Sequence, residues 1–278
     1  MRDVIVGHRD LSEIRVDAMF PGRGTPRMRR LVEHRRNFGP KAPITEALID
    51  MQVINPDDLD LQSLKDFASR FPDRFPTARL QTQFESQFRV QGGEAASVGF
   101  QHGLRGFSFF SPNQDRVVQA RRDGFTFSKL HPYESWEKLC DEAKELWGHY
   151  REVAHPSLVK RLAVRYINRI PLPSDPVRLP DWFNLHPTTP DPLGPMEEFL
   201  VRTVWSHPDD SSYRAVATQV TQSDVDGNPT VVLDIDVFTV TEGSFEENDI
   251  WKILDDLHEY KNDVFFGTIT KVTEESLL

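Results

Sequence analysis

Two stretches of this 278-residue chain carry side chains that could do chemistry. The first is Arg121, Arg122 and Asp123, followed by His131, Tyr133, Glu134 and Trp136. The second lies in LAVRYINRIPLP (162–173), which adds Arg165, Asn168 and Arg169. Guanidinium groups present a planar fork of donors that suits carboxylates and phosphates. Together these residues could line a site for an anionic ligand or for a partner's acidic side chains. The competing account is internal. RRDG is then a hairpin turn with solvated charges, and Arg165 and Arg169 pair with carboxylates of a neighbouring strand. Asp234 and Asp236, on one face of VVLDIDVF, are the expected partners. The same two carboxylates are the weak candidates for a metal site serving phosphodiester cleavage, although no lysine stands at a convincing position beside them.

Other motifs carry less. The nine histidines form no HExxH or HxH pair, so zinc has little support. DVDGN starts like a calcium loop, but its glycine is misplaced and Ile235 stands where a glutamate should. Cys140 falls on an apolar stripe and is expected to be a buried small hydrophobe. QGGEAASVGF lacks the lysine and helix of a phosphate loop and is expected to be a flexible connection. Phe107, Phe109, Phe110, Phe125 and Phe127, interleaved with arginines, mimic a single-strand-binding sheet, but helices must cover some sheet face and these rings suit that core. No catalytic residue and no cofactor is assigned.

These residues need strands to position them. The 162–173 alternation puts Leu162, Val164, Tyr166, Asn168 and Ile170 on one face, and Ala163, Arg165, Ile167 and Arg169 on the other. KAPITEALIDMQV, ARLQTQFESQFRVQ, three short runs within 106–130, MEEFLVRTVW, SYRAVATQVTQ and TVVLDIDVFTV also read as strands, as does the terminal DVFFGTITKV. Helical spacing marks 60–72, a stripe from Trp136 to Tyr150 with Pro132 in its first turn, and a stripe from Ile250 to His258 opened by a Ser244-x-x-Glu247 capping box. A short helical turn is expected at Asp181–Leu185, within a segment holding eight of the 20 prolines. The fold class is α+β: curved antiparallel sheets with two long helices on one face. The order of strand, helix, strands, helix occurs twice, which suggests an internal duplication with halves of about 40–156 and 157–278.

Residues 1–39 stand apart. They hold nine arginines, no lysine and five acidic residues, and are expected to be a poorly ordered basic extension. The other 239 residues carry a charge of −14, within a total of −10. An acidic chain repels phosphate backbones, so general nucleic-acid binding is disfavoured. One cysteine excludes an intrachain disulfide, and no apolar run reaches membrane-spanning length. The expected location is the cytoplasm.

APITEALIDMQV, VVQARRDGFTFSKLHPYESW, RLAVRYINRIPLP and LHEYKNDVFFGTIT together resemble a sporadically distributed, uncharacterised family of prokaryotic proteins, over roughly residues 40–275. The resemblance implies one integral unit and supplies no activity, cofactor or catalytic residue. Its patchy distribution suits an accessory role, such as defence or a toxin–antitoxin-like system. The leading expectation is a non-enzymatic protein that acts through a protein partner, using Arg121, Arg122, Tyr133, Arg165, Asn168 and Arg169, with self-association compatible. The alternative is a nucleic-acid-binding accessory using the arginine cluster and the basic arm. A third is a metal-dependent phosphodiesterase using Asp234 and Asp236.

Overall fold

The structure, a computed structural model, describes residues 42–278 apart from 92–93, 174–176, 189, 191–192, 195, 225 and 241–244. The basic extension at 1–39 lies outside the described residues.

Strand β1 (Ile44–Ile54) buries Ala47, Ile49, Met51 and Val53 on one side, as its alternation requires. A 3-10 helix (Ser63–Arg70) follows, shorter than the helix expected over 60–72, and it buries Leu64 and Phe67. Strands β2 (Thr77–Gln91), β3 (Glu94–Phe110), β4 (Arg116–Arg121) and β5 (Gly124–Leu130) run on by hairpins. Helix α1 (Trp136–Ala154) begins where the Ser135 hydroxyl accepts from the Lys138 amide at 3.3 Å. Strand β6 (Leu158–Pro171), a short helix α2 (Leu179–Trp182) and strands β7 (Leu200–Ser206), β8 (Tyr213–Ser223) and β9 (Pro229–Thr239) come next. Gly227, at φ +84°, makes the β8–β9 turn that Asp226-Gly227 announced. Helices α3 (Glu247–Thr268) and α4 (Lys271–Ser276) close the chain.

One antiparallel sheet of nine strands results, in the order β2-β3-β4-β5-β1-β6-β9-β8-β7. With the helices it makes the fold α+β with an antiparallel sheet. At the centre β1 pairs with β6, Ile49 opposite Val164. The alternation gives the sheet two unlike faces. On one face Phe125, Phe127, Ile49, Val164, Ile235, Leu233 and Ala217 are fully buried. Helix α1 packs there through Trp147 and Tyr150, whose rings lie 5.7 Å from that of Phe125. Phe67 of the 3-10 helix stacks on Phe109 at 5.4 Å. Each buried large apolar side chain contributes roughly 1.5–3 kcal/mol, so this face carries most of the stabilisation.

Three local expectations need correction. DVFFGTITKV is not a strand. Tyr260, Lys261, Val264, Phe265 and Thr268 continue the buried stripe of α3 past His258, and Thr268 donates to the Val264 carbonyl at 2.7 Å. An apolar run this short fits either period, and the helix before it decides. QGGEAASVGF is not a free connection either, since residues from Glu94 onward form β3 paired with β2. Pro132 precedes α1 rather than lying in its first turn, and the cap is Ser135. Ser244 of the expected capping box lies outside the described residues; α3 starts after Glu246. Among the described residues no helix is long and apolar enough to cross a membrane.

Candidate functional site

The second face of the sheet holds a line of ion pairs across its centre. Arg121, at the end of β4, is only 7% exposed. Its guanidinium donates to Asp50 of β1 at 2.8 Å, to Gln119 at 3.2 Å and to the Thr126 hydroxyl. Thr126 donates to the same Asp50 oxygen at 2.6 Å. Arg161 of β6 bridges onward, 3.5 Å from Asp50 and 3.1 Å from Asp236 of β9, with its guanidinium 4.3 Å over the Phe238 ring. Arg165 makes a two-pronged fork to Asp234, at 2.8 and 2.5 Å. Strand register explains the line, because Asp50 lies opposite both Thr126 and Ala163, and Arg165 opposite Asp236.

The β4–β5 turn is fixed from behind. Tyr150 of α1 donates to the Arg121 carbonyl at 2.8 Å, and Asn55 donates to the Arg122 carbonyl at 2.8 Å. Gly124 sits opposite Arg121, and a Cβ there would come within 2.5 Å of the Met51 carbonyl and 2.9 Å of the Arg121 guanidinium. That glycine is what lets the guanidinium lie flat toward Asp50.

The charges are mutually adjusted. Burial works against the Arg121 charge, but Asp50 and then Asp123 outweigh it and hold its pKa above the ordinary value. The fork to Asp234 does the same for Arg165. Asp236 goes the other way. Desolvation pushes its carboxyl pKa up, and Arg161 and Arg165 only partly offset the burial and the nearby carboxylates of Asp234 and Asp50.

The sheet separates the residues expected to act together. Arg121, Arg165 and Arg169 share the second face. Arg165 is paired with Asp234 as the alternation suggested, whereas Arg169 is not paired with Asp234 or Asp236; it donates to the Ser223 carbonyl at 3.4 Å and its charge acts on Asp224. Arg122 projects from the turn to the Leu59 carbonyl at 3.4 Å. Tyr133 and Asn168 are on the helix side. Asn168 is buried and donates to the Leu233 carbonyl at 3.1 Å. The Tyr133 and Tyr166 hydroxyls share a hydrogen bond of 2.8 Å. His258 of α3 lies 3.4 Å from the Tyr166 hydroxyl and stacks on Trp136 at 4.4 Å. Lys261 places its ammonium 4.0 Å over the Tyr166 ring, and burial lowers its pKa to about 7.

Asp234 and Asp236 each face an arginine, Arg165 and Arg161 respectively. Among the described residues no group of three His, Cys, Asp or Glu side chains is arranged to hold a metal ion. Cys140 is buried and its thiol pKa is pushed up to about 11, mainly by desolvation. A separate groove of about 700 Å³ runs beside α1, where Arg74 and Arg116 share Glu142.

Asp50, Thr126 and Arg161 were missed by sequence reasoning. The signal was present: Asp50 interrupts the apolar run ALIDMQV at a position whose neighbours Ile49 and Met51 are buried, and Arg161 has the parity of Arg165. Comparison of the chain with models of known families and with curated proteins found no match to either.

Proposed function

We propose that this protein is a non-enzymatic accessory that binds a protein partner on the sheet face carrying the arginine–carboxylate line. The observation behind this reading is that the central arginines already have carboxylate partners. Arg121, Arg161 and Arg165 answer Asp50, Asp236 and Asp234 within hydrogen-bonding or ion-pair distance. A phosphate would have to displace those carboxylates, which argues against the nucleic-acid reading. A protein surface need not displace them. Half-exposed Leu48, Ile167, Val216 and Val232 flank the pairs, and mixed apolar area around satisfied charges is what a protein interface uses. We also infer an internal duplication. It is supported by the order of strands outward from the central β1–β6 pair, β5-β4-β3 with a further β2 on one side and β9-β8-β7 on the other, and by one long helix after each set.

The test is affinity capture from the native host at low salt with the full chain, a Val216→Arg variant on the proposed face, and a Lys252→Glu variant on α3. Circular dichroism would verify the folding of each. One stoichiometric protein retained by Lys252→Glu and lost with Val216→Arg is the expected result. Nucleic acid that elutes with the protein and disappears at high salt would overturn the reading in favour of the nucleic-acid accessory.

A further inference from the structure

We infer that the partner meets the outer half of the open face, over β9, β8 and β7, through an acidic segment that also carries apolar side chains. The inference rests on the partner-binding reading of this face and names the chemistry of what binds there. Its ground is a charge contrast within one molecule. The 239 residues after the basic extension carry a charge of −14. The open side of β6, β9, β8 and β7 has the opposite sign. Register and alternation place five arginines on it: Arg161, Arg165 and Arg169 of β6, Arg214 of β8 and Arg202 of β7. Asp234 and Asp236 are the only carboxylates in these four strands. Carboxylates in the adjoining turns are engaged locally. Asp224 accepts from the amides of Asp226 and Asn228, and Asp210 from the amide of Ser212.

The five arginines are not used alike. Arg161 and Arg165 are held by Asp50, Asp236 and Asp234. The outer three are not. Arg169 donates to the Ser223 carbonyl and Arg214 to the Ser211 carbonyl at 2.9 Å, while exposed Arg202 has no carboxylate within ion-pair reach among the described residues. A guanidinium has several donors, so each keeps some for an incoming carboxylate. Apolar surface lies among them. Leu200 stands beside Val220 and then Val232 across the strands, and Val204 beside Val216. Leu200 is 65% exposed and Val204 52% exposed. Strand spacing and rise put Arg202 about 16 Å from Arg169, a span that an extended segment of about five residues covers. A phosphodiester backbone would match the arginines, but it would leave the leucine and valines unused and would cross Asp234 and Asp236. An acidic segment with apolar side chains answers both the charge and the apolar area.

The experiment is fluorescence anisotropy with the full chain and short labelled peptides. Their repeats are two glutamates and a leucine, two glutamates and a serine, or two lysines and a leucine, and oligothymidylate serves as the nucleic-acid probe. The glutamate–leucine peptide should bind best, the glutamate–serine peptide more weakly, and the other two probes not measurably. Arg202→Glu and Arg169→Glu, with folding verified by circular dichroism, should each weaken the glutamate–leucine peptide roughly fivefold. Added salt should weaken it too, and Lys252→Glu should leave it unchanged. No binding overturns the proposal, as does equal binding of the lysine peptide, a preference for oligothymidylate, or binding that neither arginine reversal alters. Self-association in light scattering that Arg202→Glu abolishes also overturns it, because the occupant is then a second copy. In the capture experiment, a protein lost with Val216→Arg but retained by both arginine reversals would leave the partner face standing and overturn its acidic chemistry.

Discussion

The two faces of the sheet hold polar groups in opposite ways. On the open face, charges are numerous, close and paired: Asp50, Arg121, Arg161, Asp236, Arg165 and Asp234 form a line of complementary contacts. On the helix-covered face the buried amine of Lys261 lies over the Tyr166 ring and donates to the Asn262 side-chain oxygen, while the charge of Glu259 only partly offsets its burial. An arginine answered by a carboxylate, as Arg121 and Arg165 are, keeps its ionised form. A charge answered by an aromatic ring in a dry layer tends to lose its proton. Burial alone therefore does not decide the behaviour of a titratable group in this protein. Arg121 and Lys261 have the same 7% exposure, yet the pKa of Arg121 rises and that of Lys261 falls.

The largest effect should come from removing the best-connected member of the open face. Arg121→Ala leaves Asp50 and Thr126 without their main donor in a nearly closed site, and a buried pair broken from one side costs about 3–5 kcal/mol. Urea denaturation should find a loss near the lower end, because Arg161 still approaches Asp50. Gly124→Ala should act on the same group by crowding. Its Cβ would collide with the Met51 carbonyl and the guanidinium, and about 1–3 kcal/mol is expected for such overpacking.

The opposite face predicts the opposite sign. The pKa of Lys261 is lowered in the folded state to about 7, so between pH 7 and 10.5 the unfolded chain binds more protons and stability rises with pH. The experiment is confined to pH 7–9, because the hydroxyls of Tyr133 and Tyr166, held neutral by burial, reverse the slope near pH 10. Lys261→Met should raise stability at pH 7 by about 1–2 kcal/mol after allowing for imperfect packing. That gain should shrink by pH 9. A gain that does not change with pH would mean that Lys261 is not the group responsible.

Much of this contrast was legible in the chain, and the reasons it was partly hidden are physical. Strict alternation in LAVRYINRI puts Arg165 and Asn168 on different faces of the strand. It also named Asp234 as a partner, because β9 alternates as cleanly as β6. The order of strands in the sheet was not legible, since the β1–β6 pairing joins residues more than a hundred positions apart. Asp50 was hidden for that reason: its partners come from β4, β5 and β6, and no local pattern announces them. Lys261 was hidden for another reason. Its stretch was expected to be a strand, so its place on the buried stripe of α3 was lost with the period. Tyr133 and Asn168 were grouped with the arginines by nearness in sequence, which a sheet with two faces does not respect.

The finest discrimination lies within the open face, between two carboxylates of one strand. Asp234→Asn breaks a two-pronged fork with Arg165, whose side chain is 42% exposed, so solvent reduces the loss to about 1 kcal/mol. Asp236→Asn removes a carboxyl whose pKa is raised in the folded state. Such a group favours folding most at low pH and loses that contribution as pH climbs through its folded value, so at neutral pH its charge opposes folding. Arg161 would keep Asp50 and the Phe238 ring after the substitution. Asp236→Asn should therefore lie within about 0.5 kcal/mol of wild type at pH 7, and fall behind it as pH drops toward 4. Paired urea titrations at pH 7 and pH 4.5 would read the difference. Equal losses for both variants at pH 7, with no change on acidification, would mean that the two aspartates are held alike and that Asp236 carries no burial penalty of its own.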